Sequence, residues 1–191
     1  MKIAVALSGG VDSATALYLL KKKDHNVFAL FMKNWEEKTL NGECQTAKDA
    51  DDARRVCAEL GVPLYTINFT KQYYENVFSQ FLDKLKKGCT PNPDTLCNKE
   101  IKFNLLLKKA LELGASYLAT GHYCINDSGI LHKGLDPNKD QSYFLYALKR
   151  SILEKVLFPI GHYKKGEVRA IAENAGLCVS KKKDSTGICF I

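Results

Sequence analysis

Uninterrupted apolar runs and helix-spaced apolar positions alternate along this chain. The uninterrupted runs predict buried strands at residues 2–6, 26–32, 63–69 and 115–120. Apolar residues three and four positions apart predict the intervening helices at residues 14–20, 49–60, 73–85 and 99–113. Strands that alternate with helices are typical of an open α/β fold. We therefore expect a mainly parallel, Rossmann-like sheet with helices on both faces.

The pattern is less regular beyond residue 120. Residues 124–134 predict a hairpin with its turn at Asp127–Gly129, and residues 140–148 predict a helix. A last helix is expected from Lys164 to Asn174. Residues 177–191 contain the turn residues of a mobile tail.

Size and composition indicate one domain. The chain has 191 residues, of which 46% are hydrophobic, and this is enough for a substantial core. No window approaches the ~20 consecutive apolar residues of a membrane span, and the first ten residues do not look like a signal peptide. We expect a cytoplasmic monomer that does not bind a membrane.

The charge is strongly positive. A formal net charge of +7 fits a polyanionic partner such as nucleic acid. The lysine runs taken one by one favour another interpretation, because each falls where a helix end or a loop is expected, and lysine complements the dipole at a helix C-terminus. These runs are at residues 21–23, 86–87, 108–109 and 181–183.

A glycine-rich stretch, Leu7–Ala14 (LSGGVDSA), joins the first strand to the first helix. Gly9 and Gly10 let the backbone approach a ligand, and Ser8 and Ser13 add hydroxyl groups. The helix behind them offers unpaired N–H groups and the positive end of its dipole. The stretch therefore predicts an anion site.

Asp12 distinguishes this stretch from a Walker A loop, which ends in Gly-Lys-Ser/Thr. A carboxylate beside phosphate groups implies a metal ion between them, most simply Mg²⁺. The alternative is an ordinary turn in which the serines and the aspartate cap the helix.

Two of the seven cysteines have surroundings that favour a thiolate. Cys97 ends a loop at residues 88–99, just before a predicted helix, and Cys189 follows three lysines. Cys57 lies on an apolar helix face and is expected to be buried. The odd number of cysteines and the lack of a Cys-x-x-Cys pair argue against a disulfide framework or a zinc knuckle. Either Cys97 or Cys189 alone could be incidental.

Several motifs resemble those of known families. Residues 8–13 (SGGVDS) are similar to the loop of the PP-loop ATP pyrophosphatases. Residues 92–103 (NPDTLCNKEIKF) and 183–190 (KDSTGICF) resemble the two cysteine motifs of the tRNA-specific 2-thiouridylases. Further matches are found at residues 31–35, 119–123, 139–146 and 158–169. The resemblance covers residues 2–190, which would form one PP-loop catalytic domain over residues 1–191.

The resemblance implies roles for individual residues. ATP binding is implied for Ala6, Leu7, Ser8, Gly9, Gly10, Val11, Asp12, Ser13, Met32 and Gly121. Contact with the target base is implied for Asn92, Pro93 and Asp94, and contact with tRNA for Lys139, Asp140 and Gln141. Catalytic roles are implied for Cys97, Cys189 and Asp94. The alternative for Asp94 is a turn former, a common role of aspartate in a proline-rich loop. His122 can equally be a loop histidine bonded to the backbone, so we leave His122 outside the catalytic set.

The family's reaction is the thiolation of C2 of the wobble uridine, U34, in tRNA. ATP adenylates the C2 oxygen, and a persulfide on Cys189, loaded by a sulfur-donor protein, supplies the sulfur. AMP leaves, and Cys97 releases the sulfur by forming a disulfide with Cys189. The sulfur attacks C2 either as the persulfide itself or as freed hydrosulfide. Family members are longer, so their C-terminal β-rich domains are expected to be absent from this chain, and tRNA to be held weakly.

Three alternatives stay open. An amidating PP-loop ligase would not need Cys97 and Cys189. A sulfur carrier or tRNA-binding fragment would keep the fold without the reaction. An iron–sulfur cluster on Asp94, Cys97 and Cys189 would be an unusual ligand set, because such clusters are mostly held by thiolates.

Overall fold

The structure, a computed structural model, describes residues 1–35 and 45–184. Its strands are β1 (Lys2–Ala6), β2 (Asn26–Lys33), β3 (Leu64–Asn68), β4 (Tyr117–Ala119), β5 (Cys124–Asp127), β6 (Ile130–Lys133) and β7 (Val156–Leu157). Five of them form a parallel sheet in the order β3-β2-β1-β4-β7, and β5 and β6 form a separate antiparallel pair. The predicted open α/β fold is confirmed.

The helices are α1 (Val11–Lys22), α2 (Gln45–Leu60), α3 (70–86), α4 (93–112), α5 (Arg150–Leu153) and α6 (Lys165–Asn174). Two of them are wound more widely in the middle, with π-helical segments at Tyr74–Phe78 in α3 and Cys97–Leu106 in α4. Such segments are rare and are often found at functional sites. None of the helices in the described residues has the length and apolar character to cross a bilayer.

Both faces of the sheet are covered. On β1, Ile3 and Val5 pack in one core, with α1, α2 and α6, while Ala4 and Ala6 pack in the other, with α3 and α4. All four side chains are at most 8% exposed. A central parallel strand buried on both sides reads as a continuous apolar run, because neither face meets water.

Helix α4 begins six residues earlier than predicted, at Pro93 instead of Lys99. The Asn92 Oδ1 accepts hydrogen bonds from the backbone N–H groups of Asp94 (2.9 Å) and Thr95 (3.3 Å), which caps the helix. Proline is favoured in the first helical position, which needs no N–H partner. The loop predicted at residues 88–99 therefore ends at Asn92.

The helix predicted at residues 140–148 is wrong. Only a single 3₁₀ turn forms there, at Ser142–Phe144. The Asp140 carboxylate accepts hydrogen bonds from the backbone N–H of Gly134 (2.9 Å) and from the hydroxyl of Ser142 (2.9 Å). Such side-chain bonds to nearby groups compete with helix formation.

The hairpin before this segment is confirmed. Its turn residues are Ser128 and Gly129, with φ angles of 51° and 87°. Two positive φ angles in succession are typical of a type I′ turn.

The first part of the predicted mobile tail is anchored. Leu177 and Val179 are each 2% exposed. The Arg169 guanidinium donates hydrogen bonds to the carbonyl groups of Ser180 and Lys182, both at 3.0 Å. Residues 177–184 are therefore fixed to the body of the domain. Residues 185–191, which include Cys189, lie outside the described residues.

Candidate active site

The glycine-rich loop, residues 8–13, lies at the carboxyl end of β1, where ligands bind in open parallel sheets. The Ser13 hydroxyl accepts a hydrogen bond from the Ser8 N–H (3.1 Å) and donates one to the Gly10 carbonyl (3.1 Å). Gly10 is the N-cap of α1, and no side chain caps this helix. The first N–H groups of α1 therefore have no side-chain cap, as an anion site requires.

Glycine is required at two positions around the loop. Gly9 has a φ angle of +78°, and a Cβ atom there would lie 2.3 Å from the Asp49 carbonyl oxygen. A Cβ atom on Gly121 would lie 2.6 Å from the Ser13 nitrogen. These contacts are closer than any side chain tolerates. Gly121, implied by the resemblance to bind ATP, lies against the loop.

The other residues implied in ATP binding lie beside the loop in the sequence, except Met32, which is on the neighbouring strand β2. Ala6, Leu7 and Val11 are buried, so their side chains belong to the core and only their backbone can face a ligand. Met32 is half-buried near the carboxyl end of β2 and pairs in register with Ile67 of β3.

Asp12 is held by a lysine that sequence analysis missed. Lys165 Nζ lies 2.7 and 2.8 Å from the two carboxylate oxygens of Asp12. The Tyr123 hydroxyl donates a further hydrogen bond to Asp12 at 2.8 Å. Burial, and then the charge and hydrogen bond of Asp12, raise the pKa of Tyr123, so this phenol stays protonated. No local pattern could have revealed a pair that is 153 residues apart.

Asp184 is surrounded by three cations. Its carboxylate contacts Lys139 (2.8 Å), Lys165 (2.7 Å) and Arg169 (2.8 Å). Burial by itself would raise the pKa of Asp184, but the hydrogen bonds and charges of Lys139 and Lys165 lower it to about 2. Lys139, implied in tRNA contact, is therefore ion-paired within the domain.

The lysine run at residues 181–183 was expected to be solvated, and this prediction is wrong for Lys182, which is bonded within the domain. Its ammonium donates hydrogen bonds to the Gly9 carbonyl (3.0 Å) and to the carboxylates of Asp49 (2.8 Å) and Asp52 (2.6 Å). Burial would lower the pKa of Lys182, but the bonds to the two carboxylates raise it. Lys182 thus fastens the anchored segment to the loop.

A second polar cluster lies on α4. Lys102 Nζ donates a hydrogen bond to Asn98 Oδ1 (2.9 Å) and lies 3.4 Å from Nε2 of His122. Burial and then the charge of Lys102 hold the pKa of His122 well below 6.5, so the ring is neutral at pH 7. With Nε2 as the acceptor, Nδ1 carries the proton and donates to the Thr120 hydroxyl at 2.7 Å.

The two implied catalytic residues that the structure describes are on the same helix. Cys97 is 8% exposed and is the fifth residue of α4, so it lies within the helix and not before its first turn. Burial raises the pKa of Asp94, and the charge of Lys102 partly opposes this shift. The loop cluster and the α4 cluster meet at Gly121 and His122, which are neighbours in the chain.

The residues implied in substrate binding have partners within the chain. Asn92 caps α4, and Pro93 is buried as its first residue. Asp140 is bonded as described above, and Gln141 Oε1 accepts a hydrogen bond from the Tyr123 N–H at 3.0 Å.

The described residues hold no group of three or more histidine, cysteine or acidic side chains arranged to bind a metal ion.

Comparison with known proteins agrees with the motifs. The sequence matches the tRNA methyl transferase HUP domain family over residues 1–191. It is 56% identical over 194 residues to the tRNA-specific 2-thiouridylase MnmA of Protochlamydia amoebophila (strain UWE25), a match that covers 99% of this chain and 52% of that protein. The chain thus spans about half the length of the curated relatives it matches.

Solved structures share the fold. The U34-tRNA thiolase NcsA from Methanococcus maripaludis superposes with a TM-score of 0.63 at 23% identity, covering 98% of this chain and 61% of that one. A 4-thiouridine synthetase in complex with RNA and ATP has a TM-score of 0.60 at 18% identity, covering 99% and 44%. The chain belongs to the tRNA methyl transferase HUP domain family, and the resemblance to the tRNA-specific 2-thiouridylases that its motifs predicted is confirmed.

Proposed function

We propose that this chain carries the ATP-binding and sulfur-transfer centre of an enzyme that thiolates C2 of U34 in tRNA. The observation that carries the proposal is the meeting of two clusters at residues 121–122. Gly121 lies against the anion-binding loop, and His122 contacts the helix of Cys97 through Lys102. A nucleotide bound at the loop would therefore face the helix that carries the thiol.

ATP is the substrate proposed for the loop. The N–H groups of residues 8–13 and the N-terminus of α1 would hold the departing pyrophosphate, with Met32 and Gly121 beside the nucleotide. Asp12 fits a Mg²⁺ ion, because it offers two carboxylate oxygens at the loop and its side chain is 31% exposed. The ion would neutralise charge on the pyrophosphate.

The target uridine is proposed to contact Asn92, Pro93 and Asp94 at the start of α4. The raised pKa of Asp94 suits a group that exchanges a proton with the base nearer to neutral pH. Lys139 is 40% exposed and can reach a phosphate. Asp140 and Gln141 would contact tRNA through the backbone, because their side chains are engaged within the chain.

Sulfur transfer is proposed to use both cysteines. The terminal sulfur of a persulfide on Cys189 bonds to C2, and the bond between C2 and the adenylated oxygen breaks as AMP leaves. The Cys97 thiolate then attacks Cys189, which forms a disulfide and leaves the sulfur on the uridine. A cytoplasmic thiol reductant would restore both cysteines, and a sulfur-donor protein would reload Cys189.

The test is a reaction of the chain with ATP, Mg²⁺, unmodified tRNA, a thiol reductant and a sulfur-donor protein that loads Cys189 with a persulfide. We expect AMP and pyrophosphate, and 2-thiouridine in the digested tRNA by mass spectrometry. Cys97→Ser and Cys189→Ser should abolish turnover to 2-thiouridine. Yields of 2-thiouridine that neither substitution lowers would overturn the sulfur-transfer step, and turnover with ammonia in place of the sulfur donor would indicate an amidating ligase. Binding of ATP and tRNA without AMP formation would indicate a carrier or binding module.

A further inference from the structure

The Lys165 ammonium joins two parts of the chain that are far apart in sequence. It lies 2.7 and 2.8 Å from the oxygens of Asp12, at the start of α1, and 2.7 Å from Oδ1 of Asp184. An ammonium has three N–H donors, and two of them bond to Asp12, whereas the contact with Asp184 is an ion pair. A further acceptor at this ammonium would therefore compete with Asp184 before it competes with Asp12.

Lys165 itself is held in place. Its backbone N–H donates a hydrogen bond to Asp136 Oδ2 at 2.8 Å, and its ammonium lies 5.8 Å from the centre of the Tyr123 ring. Its side chain is only 13% exposed. Lys165 can therefore exchange one contact of its ammonium for another more easily than it can move its side chain.

The two carboxylates do not depend equally on Lys165. Asp184 also contacts Lys139 and Arg169, each at 2.8 Å, so it keeps two cations if it loses the third. Asp12 has Lys165 as its cation and the neutral Tyr123 hydroxyl as its other partner. Asp184 can therefore release Lys165 at a lower cost than Asp12 can.

We propose that Lys165 is a positioning residue that couples phosphate binding at the loop to its own ion pair with Asp184. A phosphate oxygen takes the N–H of Lys165 that is not bonded to Asp12, and the ion pair between Lys165 and Asp184 is broken. Asp184 ends the anchored segment, five residues before Cys189 in the sequence. The inference rests on the proposed function, since it requires that ATP bind at the loop.

Coupling of this kind is reciprocal. If ATP weakens the contact between Lys165 and Asp184, then loss of that contact must strengthen ATP binding by the same factor. Removal of the Asp184 charge is therefore expected to improve affinity. Ordinary damage to the site would have the opposite effect.

The first experiment is calorimetric titration of ATP with Mg²⁺ into the whole chain. Asp184→Asn should bind ATP about fivefold more tightly than the wild type, at the lower end of typical coupling between sites. Asp127→Asn, which removes an exposed carboxylate on the hairpin, is the matched control and should have no effect. Unchanged or weaker binding by Asp184→Asn overturns the inference.

Lys165→Met tests whether this lysine carries the coupling. Lys165→Met should weaken ATP binding, and the double variant with Asp184→Asn should bind ATP no more tightly than Lys165→Met alone. Lys164→Met removes an exposed neighbouring charge and should bind as the wild type does. A full gain in the double variant would show that the coupling does not pass through Lys165.

Hydrogen exchange provides a second measurement on the same chain. The amides of Ser180 and Lys182 are bonded to the carbonyl groups of Leu177 and Val179. ATP should speed their exchange in the wild type and leave it unchanged in Lys165→Met. Slower exchange with ATP would contradict the inference. If the wild type does not bind ATP at all, the proposed ATP site fails as well, whereas binding without coupling overturns only the inference.

Discussion

The region around the glycine-rich loop (the loop region) and the region around helix α4 (the α4 region) meet at residues 121–122. Each contains a partly buried lysine, and the two lysines have opposite surroundings. Lys165, in the loop region, contacts the carboxylates of Asp12 and Asp184. Lys102, in the α4 region, contacts an amide and a neutral imidazole. Among the residues that the structure describes, no carboxylate lies within ion-pair distance of Lys102.

This difference separates two uses of charge. In the loop region the charges compensate one another and tie distant segments together, because a half-buried ion pair with several partners resists separation. In the α4 region the charge is not cancelled, so it acts on its neighbours. It opposes the rise in the pKa of Asp94 and helps to keep His122 neutral.

The largest expected effect is that of Gly9→Ala in the loop region. The left-handed φ angle and the clash with the Asp49 carbonyl together should lower the free energy of unfolding by about 2–4 kcal/mol. Gly166→Ala is the matched control, since a Cβ atom at this helical position meets no atom within 4 Å. Urea denaturation would measure both. Equal stability of the two variants would show that the loop is not built by close backbone contact.

A smaller effect is expected for the ion network. Asp184→Asn should lower the free energy of unfolding at pH 7 by about 1–2 kcal/mol, since the folded pKa of about 2 lies below the unfolded value of 3.8. This stabilisation is present above pH 3.8 and is lost as the pH falls toward 2. Asp127→Asn should cost less than about 0.5 kcal/mol. Equal losses in both variants would contradict the network's role as an anchor.

The smallest effect tests the α4 region. The folded pKa of His122 lies below the unfolded value of 6.5, so the unfolded chain binds a proton that the folded chain excludes. Stability should therefore fall by about 1 kcal/mol between pH 7 and pH 5.5. Denaturation at the two pH values would show it. His122→Gln should remove this dependence and the exposed His132→Gln should keep it.

Lys102→Met sharpens the same comparison. Without the neighbouring charge, the pKa of His122 should rise, although burial still holds it below 6.5. An NMR titration of the His122 ring would measure the shift. Lys99→Met, an exposed lysine on the same helix, is the control. If His122 titrates identically in both variants, Lys102 does not set its charge.

Local patterns predicted most of the fold. The run at residues 2–6 is a central strand, and the last helix ends at Asn174 as expected. Cys57 is 3% exposed, and burial raises its pKa to about 11, in agreement with its place on an apolar helix face. Strand β7 was missed because two residues are too few to carry a periodic signal.

The misplaced start of α4 shows the limit of composition. Two prolines and two asparagines within residues 88–98 indicated a loop, yet Asn92 and Pro93 are also the residue types that begin a helix. Only the contacts decide between these two interpretations, since the same side chain can serve either. Because of this error, Cys97 was predicted to lie in a loop, whereas it lies within the helix.

The sequence by itself determined the alternation of strands and helices, the glycine-rich loop and the family. These follow from residue order alone, because burial periodicity and motif spacing are local properties of a chain. Only the tertiary structure decided which charges meet. Lys165 reaches Asp12 across 153 positions, and Lys182 reaches Asp49 across 133. Ion pairs and hydrogen bonds depend on distance in space, and that distance is set only when the sheet brings the ends of its strands together.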